Sequence, residues 1–155
     1  MKFALLADNM HFLKELAELH QEEWGHLDRS FTLERRTKAL KDAANEEGIP
    51  AIYIAYEEKE LIGSAGIVQH YMKDYHPELS PWLAAVFVKI KWRRKGIASL
   101  LVKYCEEKAV KENIKKLYLY TEFAENLYSK IGWNISEKCK YKGVQVSVMY
   151  KELNS

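Results

Sequence analysis

Residues 86–101 combine the features of a site that binds phosphate groups. Five of the seven residues from 89 to 95 are cationic, although the formal net charge of the 155-residue chain is only +2. A helix is predicted to start directly after them, and a helix N-terminus offers unpaired backbone N–H groups and the positive end of the helix dipole. Gly96 lets the backbone approach a ligand closely, and Ala98 and Ser99 leave the first helical turn uncovered. The segment predicts a pyrophosphate cradle, in which further charge comes from Arg93, Arg94 and Lys95.

Spacing alone leaves two interpretations of this basic turn open. One is a solvated turn before an ordinary helix, and the other is the binding site. The segment contains neither the GxxxxGK[ST] pattern of a P-loop nor the GxGxxG pattern of a dinucleotide site. The pattern Arg93-x-x-Gly96-x-Ala98 follows a wholly apolar strand at residues 82–88. A buried strand that leads directly into a helix N-terminus favours the binding site.

Hydrophobic periodicity predicts the elements that position this turn. Seven strands are predicted over residues 2–6, 51–56, 61–69, 82–88, 117–121, 133–141 and 144–151. Four helices are predicted, one from a cap at Asp8 or Asn9 to Gly25, and the others from about residue 32 to Gly48, over 95–112 and over 123–131. This order indicates one α+β domain over residues 1–155, a three-layer arrangement with a mixed sheet and helices on both faces.

The strand at residues 82–88 has no polar position, so it is predicted to be central, with both faces covered. A helix connects it to the strand at residues 117–121, which predicts a parallel pair of strands with a right-handed crossover. Gly63 and Gly66 are predicted to mark bulges or close packing in the strand before.

Composition argues against several classes of protein. The 24 basic and 22 acidic residues lack the basic excess that accompanies nonspecific nucleic-acid binding. No apolar run approaches the roughly 20 residues of a membrane span, and acidic residues throughout the first forty positions argue against a transit peptide. We therefore expect a cytoplasmic protein with no membrane partner. Cys105 and Cys139 lack CxxC spacing, so they are predicted to be buried, reduced thiols, and no metal site is expected.

A second motif follows the strand at residues 117–121. It reads Ala124-x-x-Leu127-Tyr128-x-x-x-Gly132-Trp133. With these two motifs in this order, the chain resembles the GNAT superfamily of acetyl-CoA-dependent N-acetyltransferases, in which the first motif binds the coenzyme A pyrophosphate. The order of predicted elements over the entire chain is also that family's order.

The resemblance implies a mixed, mostly antiparallel sheet whose fourth and fifth strands splay apart and leave backbone groups free for the pantetheine arm. It implies acetyl-CoA as the cofactor and transfer of its acetyl group to a primary amine of a small molecule or peptide by direct attack. Tyr128 is the implied general acid, which would protonate the leaving thiolate. The implied cofactor-binding residues are Phe87, Val88, Arg93, Arg94, Lys95, Gly96, Ile97, Ala98 and Ser99.

One position departs from the family pattern. Many members have an asparagine seven residues before the tyrosine, where this chain has Thr121, and Asn126 is a candidate substitute for the coenzyme contact. Spacing does not identify the general base. The candidates are Glu23, His26, His70, Asp74, His76 and Glu122.

The sequence leaves the acceptor open. Residues 22–26 lie where the family usually places acceptor-binding loops, so Trp24 and His26 are predicted to line the amine site. An aminoglycoside or polyamine would favour an acidic pocket, which Glu22, Glu23 and Asp28 could supply, whereas a peptide N-terminus would favour an open groove. Two other hypotheses are a catalytically silent acyl-CoA sensor and, less favoured, a nucleic-acid-binding module that uses residues 89–95. The family resemblance also allows a homodimer.

Overall fold

The structure is a computed structural model that describes residues 1–154. Within that range, seven strands form one sheet: β1 (Lys2–Leu5), β2 (Ala51–Glu57), β3 (Glu60–Val68), β4 (Trp82–Val88), β5 (Lys116–Thr121), β6 (Asn134–Tyr141) and β7 (Val144–Glu152). Four α-helices accompany them: α1 (Leu13–Trp24), α2 (Leu33–Ala43), α3 (Ile97–Lys111) and α4 (Glu125–Lys130). The strand order is β1-β2-β3-β4-β5-β7-β6. Only β4 and β5 pair in parallel, and the other neighbouring strands are antiparallel.

The sheet has helices on both faces, as predicted, because its strands alternate apolar side chains between two cores. In β2, Ile52 and Ile54 belong to the core that includes Leu16 of α1 and Leu40 of α2. Tyr53, which lies between them, belongs to the core formed with α3. Successive strand residues point to opposite faces, and full burial of each large aliphatic side chain contributes about 1.5–3 kcal/mol. The predicted α+β fold is therefore confirmed.

The predicted separation of β4 and β5 is also confirmed. Trp82 and Tyr118 form the one residue pair that joins these strands within residues 1–154. The Tyr118 N–H also donates to the Pro81 carbonyl at 3.1 Å, at the same end of the strands. Since pairing stops there, the rest of β4 has a strand partner only in β3. An opening between β4 and β5 follows, and its position is that of the predicted cofactor arm.

The part of β4 that no longer pairs with β5 contains a bulge opposite β3. Ser64 pairs with Phe87 and Gly66 with Ala84, so β4 has one more residue than β3 in this interval. Ala85 takes up the extra length with a φ of +55°, in the left-handed region that non-glycine residues rarely adopt. Gly63 permits the close approach of the two strands, because a Cβ there would collide with the Phe87 carbonyl oxygen. At Gly66 a Cβ would lie 2.8 Å from Ile52 Cδ1, so the predicted close packing is confirmed at both glycines.

The predicted strand bounds agree with the structure within one residue, but the helix ends differ more. The predicted cap of α1 at Asp8 or Asn9 is wrong. Residues 6–8 and 10–12 form 3₁₀ turns, and α1 begins at Leu13 without a side-chain cap. The Asn9 amide instead donates to the Leu5 carbonyl at 3.0 Å, so it stabilises the turn that follows β1.

Helix α2 starts as predicted but ends before Gly48. Thr32 Oγ1 accepts a hydrogen bond from the Arg35 N–H at 3.2 Å and caps the helix. The helix ends at Ala43, and the Asn45 side chain then donates to the Pro50 carbonyl at 2.8 Å. Asparagine stabilises loop backbone in this way at the expense of the helix.

The other two helices are shorter than predicted. Helix α3 begins at Ile97 rather than at residue 95, because Gly96 adopts a left-handed conformation. Helix α4 covers Glu125–Lys130 rather than residues 123–131, and Phe123 is 89% exposed in the turn before it. Cys105 is a buried free thiol as predicted, but Cys139 is partly exposed because it lies on β6, at the edge of the sheet.

Two features are absent from residues 1–154. None of the helices in that range has both the length and the apolar character needed to cross a bilayer. The same residues contain no group of three or more His, Cys, Asp or Glu side chains arranged to hold a metal ion.

Candidate active site

A cleft of about 350 Å³ lies at the opening between β4 and β5. It brings together Tyr128 and eight of the ten residues predicted to bind the cofactor. The predicted residues that do not line it are Lys95, Asn126, Trp24 and His26. Its lining consists of Glu23, Val86, Phe87, Val88, Trp92, Arg93, Arg94, Gly96, Ile97, Ala98, Ser99, Ala124, Leu127 and Tyr128.

The turn before α3 has the geometry of an anion site. Gly96 has a φ of +80°, and a Cβ placed on it would meet no atom within 4 Å, so the space in front of it is open. No side chain caps α3. The N–H groups of its first turn, at Ile97, Ala98 and Ser99, therefore have no intrahelical partner. All three residues line the cleft, so these donors and the helix dipole can act on a ligand bound there.

Ion pairs divide the five cations of the basic turn into two groups. Lys89 lies 2.7 Å from Glu15, Lys91 lies 2.6 Å from Glu60, and Arg93 lies 3.2 Å from Glu23. The hydrogen bonds from Lys91 and Trp92 lower the pKa of the Glu60 carboxyl. Within residues 1–154, Arg94 and Lys95 have no such carboxylate partner. These two exposed side chains are the cations left to bind an external phosphate.

Arg93 connects the basic turn to β4. Its Nε donates to the Val88 carbonyl at 2.7 Å, and its guanidinium carbon lies 5.6 Å from the centre of the Phe87 ring. Together with the Glu23 ion pair, these contacts give Arg93 three partners. It therefore holds the turn against the end of the strand, although it was predicted only as a coenzyme ligand.

A buried hydrogen-bond chain fixes the bulge in β4 from behind. Ser64 Oγ donates to the Ala85 carbonyl at 2.7 Å, and His20 Nε2 lies 2.9 Å from Ser64 Oγ. A hydroxyl has one hydrogen, which Ser64 uses toward Ala85, so the imidazole is the donor to Ser64 and its proton is on Nε2. Both side chains are almost fully buried, with exposures of 2% and 0%.

His20 is uncharged at neutral pH in this environment. Burial, followed by the positive charge of Arg36, lowers its pKa to about 3. Its ring lies 4.9 Å from the Trp24 ring and 5.7 Å from that of Phe87. The sequence analysis did not identify this role of His20, because Ser64 and Ala85 are remote from it in sequence.

Tyr128 lies at the other wall of the cleft. It is 6% exposed and packs edge-on against Trp133, with the ring centres 6.1 Å apart. Burial is the largest cause of a raised pKa for its phenol, so the hydroxyl stays protonated throughout the neutral range. Thr121 Oγ1 accepts a hydrogen bond from the Ala124 N–H at 2.9 Å and thus holds the turn that leads into α4.

The remaining predicted residues lie around this cleft. Trp24 packs against Phe87 at 6.1 Å between ring centres, beside the cleft, whereas His26 and Asn126 are exposed. Their predicted roles in binding remain predictions. Among the candidate bases, Glu23 is paired with Arg93, and His76 is paired with Glu78 and Glu137. The other candidates, His70, Asp74 and Glu122, are exposed.

Comparisons with known proteins agree with this arrangement. The family model described as Acetyltransferase (GNAT) family matches residues 13–133. An aminoglycoside 6'-N-acetyltransferase complexed with coenzyme A is similar in structure, with a TM-score of 0.77 and 18% identity over 100% of this chain and 98% of that chain. The aminoglycoside 6'-N-acetyltransferase from Enterococcus faecium gives a TM-score of 0.75, with 18% identity over 100% and 98% of the two chains.

A different kind of acetyltransferase is equally similar. The ribosomal-protein-alanine N-acetyltransferase from Brucella melitensis has a TM-score of 0.79 and 17% identity over 99% of this chain and 100% of that chain. At these identities the structural likeness establishes the fold. A sequence comparison with curated proteins gives no significant match.

Proposed function

The chain belongs to the GNAT acetyltransferase family, and from that premise we propose that it transfers the acetyl group of acetyl-CoA to a primary amine, with Tyr128 as the general acid. The observation that carries the proposal is that one cleft joins the open N-terminus of α3 to the Tyr128 side chain along the free part of β4. The first feature suits a diphosphate and the second a departing sulfur. Acetyl-CoA carries the diphosphate and the sulfur in one molecule, so an acyltransferase must bind both groups in the same cleft.

The residues of the cofactor side fit coenzyme A. The uncapped N–H groups at Ile97, Ala98 and Ser99 face open space at Gly96, and Arg94 is available to add charge. The part of β4 that lacks a partner in β5 offers main-chain groups to the extended arm, as an added strand would use them. The bound coenzyme supplies an acetyl group activated as a thioester.

Tyr128 supplies the proton that the leaving sulfur needs. A free thiol has a pKa of about 8.5 and an unperturbed phenol about 10. Because burial raises the pKa of Tyr128 further, the side chain holds its proton at neutral pH and cannot act as a base there. As the amine nitrogen bonds to the acetyl carbon, the carbon–sulfur bond would break and the phenol proton would move to the sulfur. The proton that the nitrogen loses would pass to solvent, from which the phenol regains its own.

The test is release of free thiol from acetyl-CoA in the presence of a panel of amines. Tyr128→Phe is expected to lower kcat at least about 100-fold, the usual range for loss of a general acid, and to leave the Kd for coenzyme A within about twofold. Tyr104→Phe is the matched control. Tyr104 lies on α3 and packs against Phe3 and Tyr53, with both ring distances at 5.4 Å, and it does not line the cleft.

The outcomes separate the alternatives. If the wild-type protein binds coenzyme A but releases no thiol with any amine, the enzyme hypothesis is wrong and the sensor hypothesis takes its place. If thiol is released and Tyr128→Phe is as active as Tyr104→Phe, the role of Tyr128 is wrong. The ion pairs argue against the nucleic-acid hypothesis, because three of the five cations in residues 89–95 are already paired with carboxylates.

A further inference from the structure

The bulge leaves residues 85–86 of β4 without a strand partner on either side within residues 1–154. The register with β3 passes from the Ala84–Gly66 pair to the Phe87–Ser64 pair and leaves out the two residues between them. On the other side, β5 pairs only with the first residue of β4. Backbone polar groups that have no partner in a sheet need another one. The peptide group between residues 85 and 86 is therefore free to interact outside the sheet.

The carbonyl of that peptide group is held from behind the strand. Ser64, which is fully buried, donates from Oγ to the Ala85 oxygen at 2.7 Å. The Ala85–Val86 peptide is trans, and in a planar trans peptide the C=O and the N–H point in opposite directions. The Val86 N–H therefore points away from Ser64. Since Val86 lines the cleft, this N–H is a donor for a ligand bound there.

Ala85 holds this orientation in a strained conformation. Its φ of +55° lies in the left-handed region, where the Cβ of an alanine crowds the backbone. Strain of this kind persists only where the surrounding contacts fix the residue, and it is concentrated at functional sites. The hydrogen bond from Ser64 is the side-chain contact that fixes the Ala85 carbonyl.

His20 fixes the Ser64 hydroxyl in turn. Its Nε2 donates to Ser64 Oγ at 2.9 Å, so the single hydroxyl hydrogen is directed toward Ala85. The His20 ring also packs 5.7 Å from the ring of Phe87, the residue after Val86. One buried side chain of α1 thus contacts the hydroxyl behind the peptide and the aromatic ring that follows it.

The need to pair the Ala85 carbonyl does not by itself account for this chain of hydrogen bonds. Ala85 and Val86 are partly exposed, and a water molecule can satisfy a carbonyl in such a place. Instead, α1 buries an imidazole to 2% exposure, whereas its other two buried residues, Leu16 and Ala17, are apolar. Burial of a polar ring costs stability unless the ring is hydrogen-bonded. A chain of two buried donors restricts the direction of the peptide, which a mobile water molecule does not.

We infer that His20 and Ser64 are positioning residues for acetyl transfer, which hold the Ala85–Val86 peptide so that the Val86 N–H donates to the acetyl carbonyl oxygen. The inference rests on the proposed acetyl transfer and adds residues of α1 and β3 to it. As the amine nitrogen bonds to the acetyl carbon, an electron pair of the C=O bond moves to the oxygen, and a fixed N–H stabilises that charge. The pair returns when the carbon–sulfur bond breaks, and the backbone keeps its proton throughout.

Ser64→Ala removes the hydroxyl behind the peptide and leaves every side chain that lines the cleft in place. With the best amine of the panel, kcat for thiol release from acetyl-CoA is expected to fall about 10- to 100-fold. The Kd for coenzyme A, which carries no acetyl group, is expected to stay within about twofold. A role in folding alone would not separate kcat from coenzyme binding in this way.

Ser147→Ala is the matched control. Ser147 is a buried serine of β7 at 9% exposure, and its hydroxyl donates to Glu125 Oε1 at 2.6 Å. It does not line the cleft, so the variant is expected to keep the kcat of the wild type. Equal losses of kcat in Ser64→Ala and Ser147→Ala would overturn the positioning role.

Infrared spectroscopy of bound acetyl-CoA, labelled with carbon-13 at the thioester carbonyl and without an amine, measures the hydrogen bond itself. A donor at the oxygen weakens the C=O bond. The carbonyl stretch is therefore expected at a lower frequency in the wild type and in Ser147→Ala than in Ser64→Ala. The same frequency in all three proteins would overturn the inference, even if their kcat values differ.

His20 supplies a second pair of variants, which decides if Ser64→Ala does not fold. Glutamine keeps a donor for Ser64, and leucine does not. We expect kcat for His20→Leu to be at least about fivefold below that for His20→Gln, with the same Kd for coenzyme A. Equal kcat values in the two variants would show that the imidazole does not act through Ser64.

Failure of the inference differs from failure of the proposed function. The absence of thiol release with every amine would overturn the acetyl transfer itself, and the infrared comparison would still decide whether Val86 donates to the acetyl oxygen. Thiol release that the Ser64 and His20 variants leave unchanged would overturn the positioning role and leave the enzyme in place.

Discussion

The cofactor side and the acceptor side of the cleft are built in different ways. The cofactor side consists largely of backbone groups from one continuous segment, residues 86–99, at the end of β4 and the start of α3. The proposed acceptor side is built from side chains of separate elements. They are Phe87 of β4, with His20 and Trp24 of α1 packed against it, and Tyr128 of α4. A site made of backbone depends on local conformation, whereas a site made of side chains depends on how distant elements pack.

This difference lets the two sides of the cleft vary independently. A change in the α1 side chains that pack against Phe87 alters that wall of the cleft and leaves the turn at Gly96 intact. The two sides are joined at Phe87, which lines the cleft and also packs against His20 and Trp24. They are joined a second time through Ala85, whose carbonyl the His20–Ser64 chain holds.

The largest predicted effect is a change in folding stability with pH, because His20, behind the proposed acceptor side, is a buried titratable group. The unfolded chain protonates His20 near its ordinary pKa of 6.5, whereas the folded chain does so at about 3. Between these values the unfolded state binds more protons, so stability falls as the pH falls. From pH 7.5 to 5, His20 is expected to lower the free energy of unfolding by about 2 kcal/mol.

Denaturant unfolding of wild type and His20→Gln measures this contribution. Glutamine does not titrate and keeps a donor for Ser64, so the gap between the two stability curves is expected to change by about 2 kcal/mol over that pH interval. His11→Gln, which replaces an exposed imidazole, controls for the loss of one histidine. The hydrogen bonds of His76 raise its pKa against the effect of burial, but that group is present in all three proteins. Parallel curves for wild type and His20→Gln would refute the buried, neutral imidazole.

The next effect concerns the cofactor side alone. Gly96→Ala adds a methyl group in the open space before α3 and costs about 1–2 kcal/mol of backbone strain at positive φ. We expect about tenfold weaker binding of coenzyme A by calorimetry, because the methyl group occupies the place of the diphosphate. Gly143→Ala is matched, since that turn glycine has a φ of +84° and also no atom within 4 Å of an added Cβ. Equal coenzyme affinities in the two variants would show that Gly96 serves the fold only.

The smallest predicted effect tests whether the paired and unpaired cations of the basic turn differ in coenzyme binding. Arg94→Gln removes a cation without a carboxylate partner among residues 1–154, whereas Lys91→Gln removes one that is paired with Glu60. We expect the Kd for coenzyme A to rise about fivefold in Arg94→Gln, the effect of one exposed charge-assisted contact, and less than twofold in Lys91→Gln. Binding measured at two salt concentrations checks this, because screening reduces the Arg94 contribution. Equal losses would mean that the general positive potential of the turn binds the phosphates.

The strands and the cofactor side were largely predictable because their signals are local. Alternating or continuous apolar runs located every strand within one residue, and the motif at Arg93 and Gly96 located the turn. Helix ends were less accurate, since Asn9 and Asn45 hydrogen-bond to loop carbonyls rather than cap or extend a helix. Arg93 shows the limit of a motif, because its contact with Val88 depends on how the turn folds back.

The sequence by itself determined the order of elements, the buried central strand and the place of the phosphate turn, because each depends on residues that are neighbours in the chain. Only the tertiary structure decided which cations of that turn are paired and that His20 and Ser64 hold the bulge at Ala85. These contacts join residues that lie tens of positions apart. The physical reason is that burial and long-range pairing set the charge and the hydrogen bonds of a side chain, and neither is a property of its local sequence.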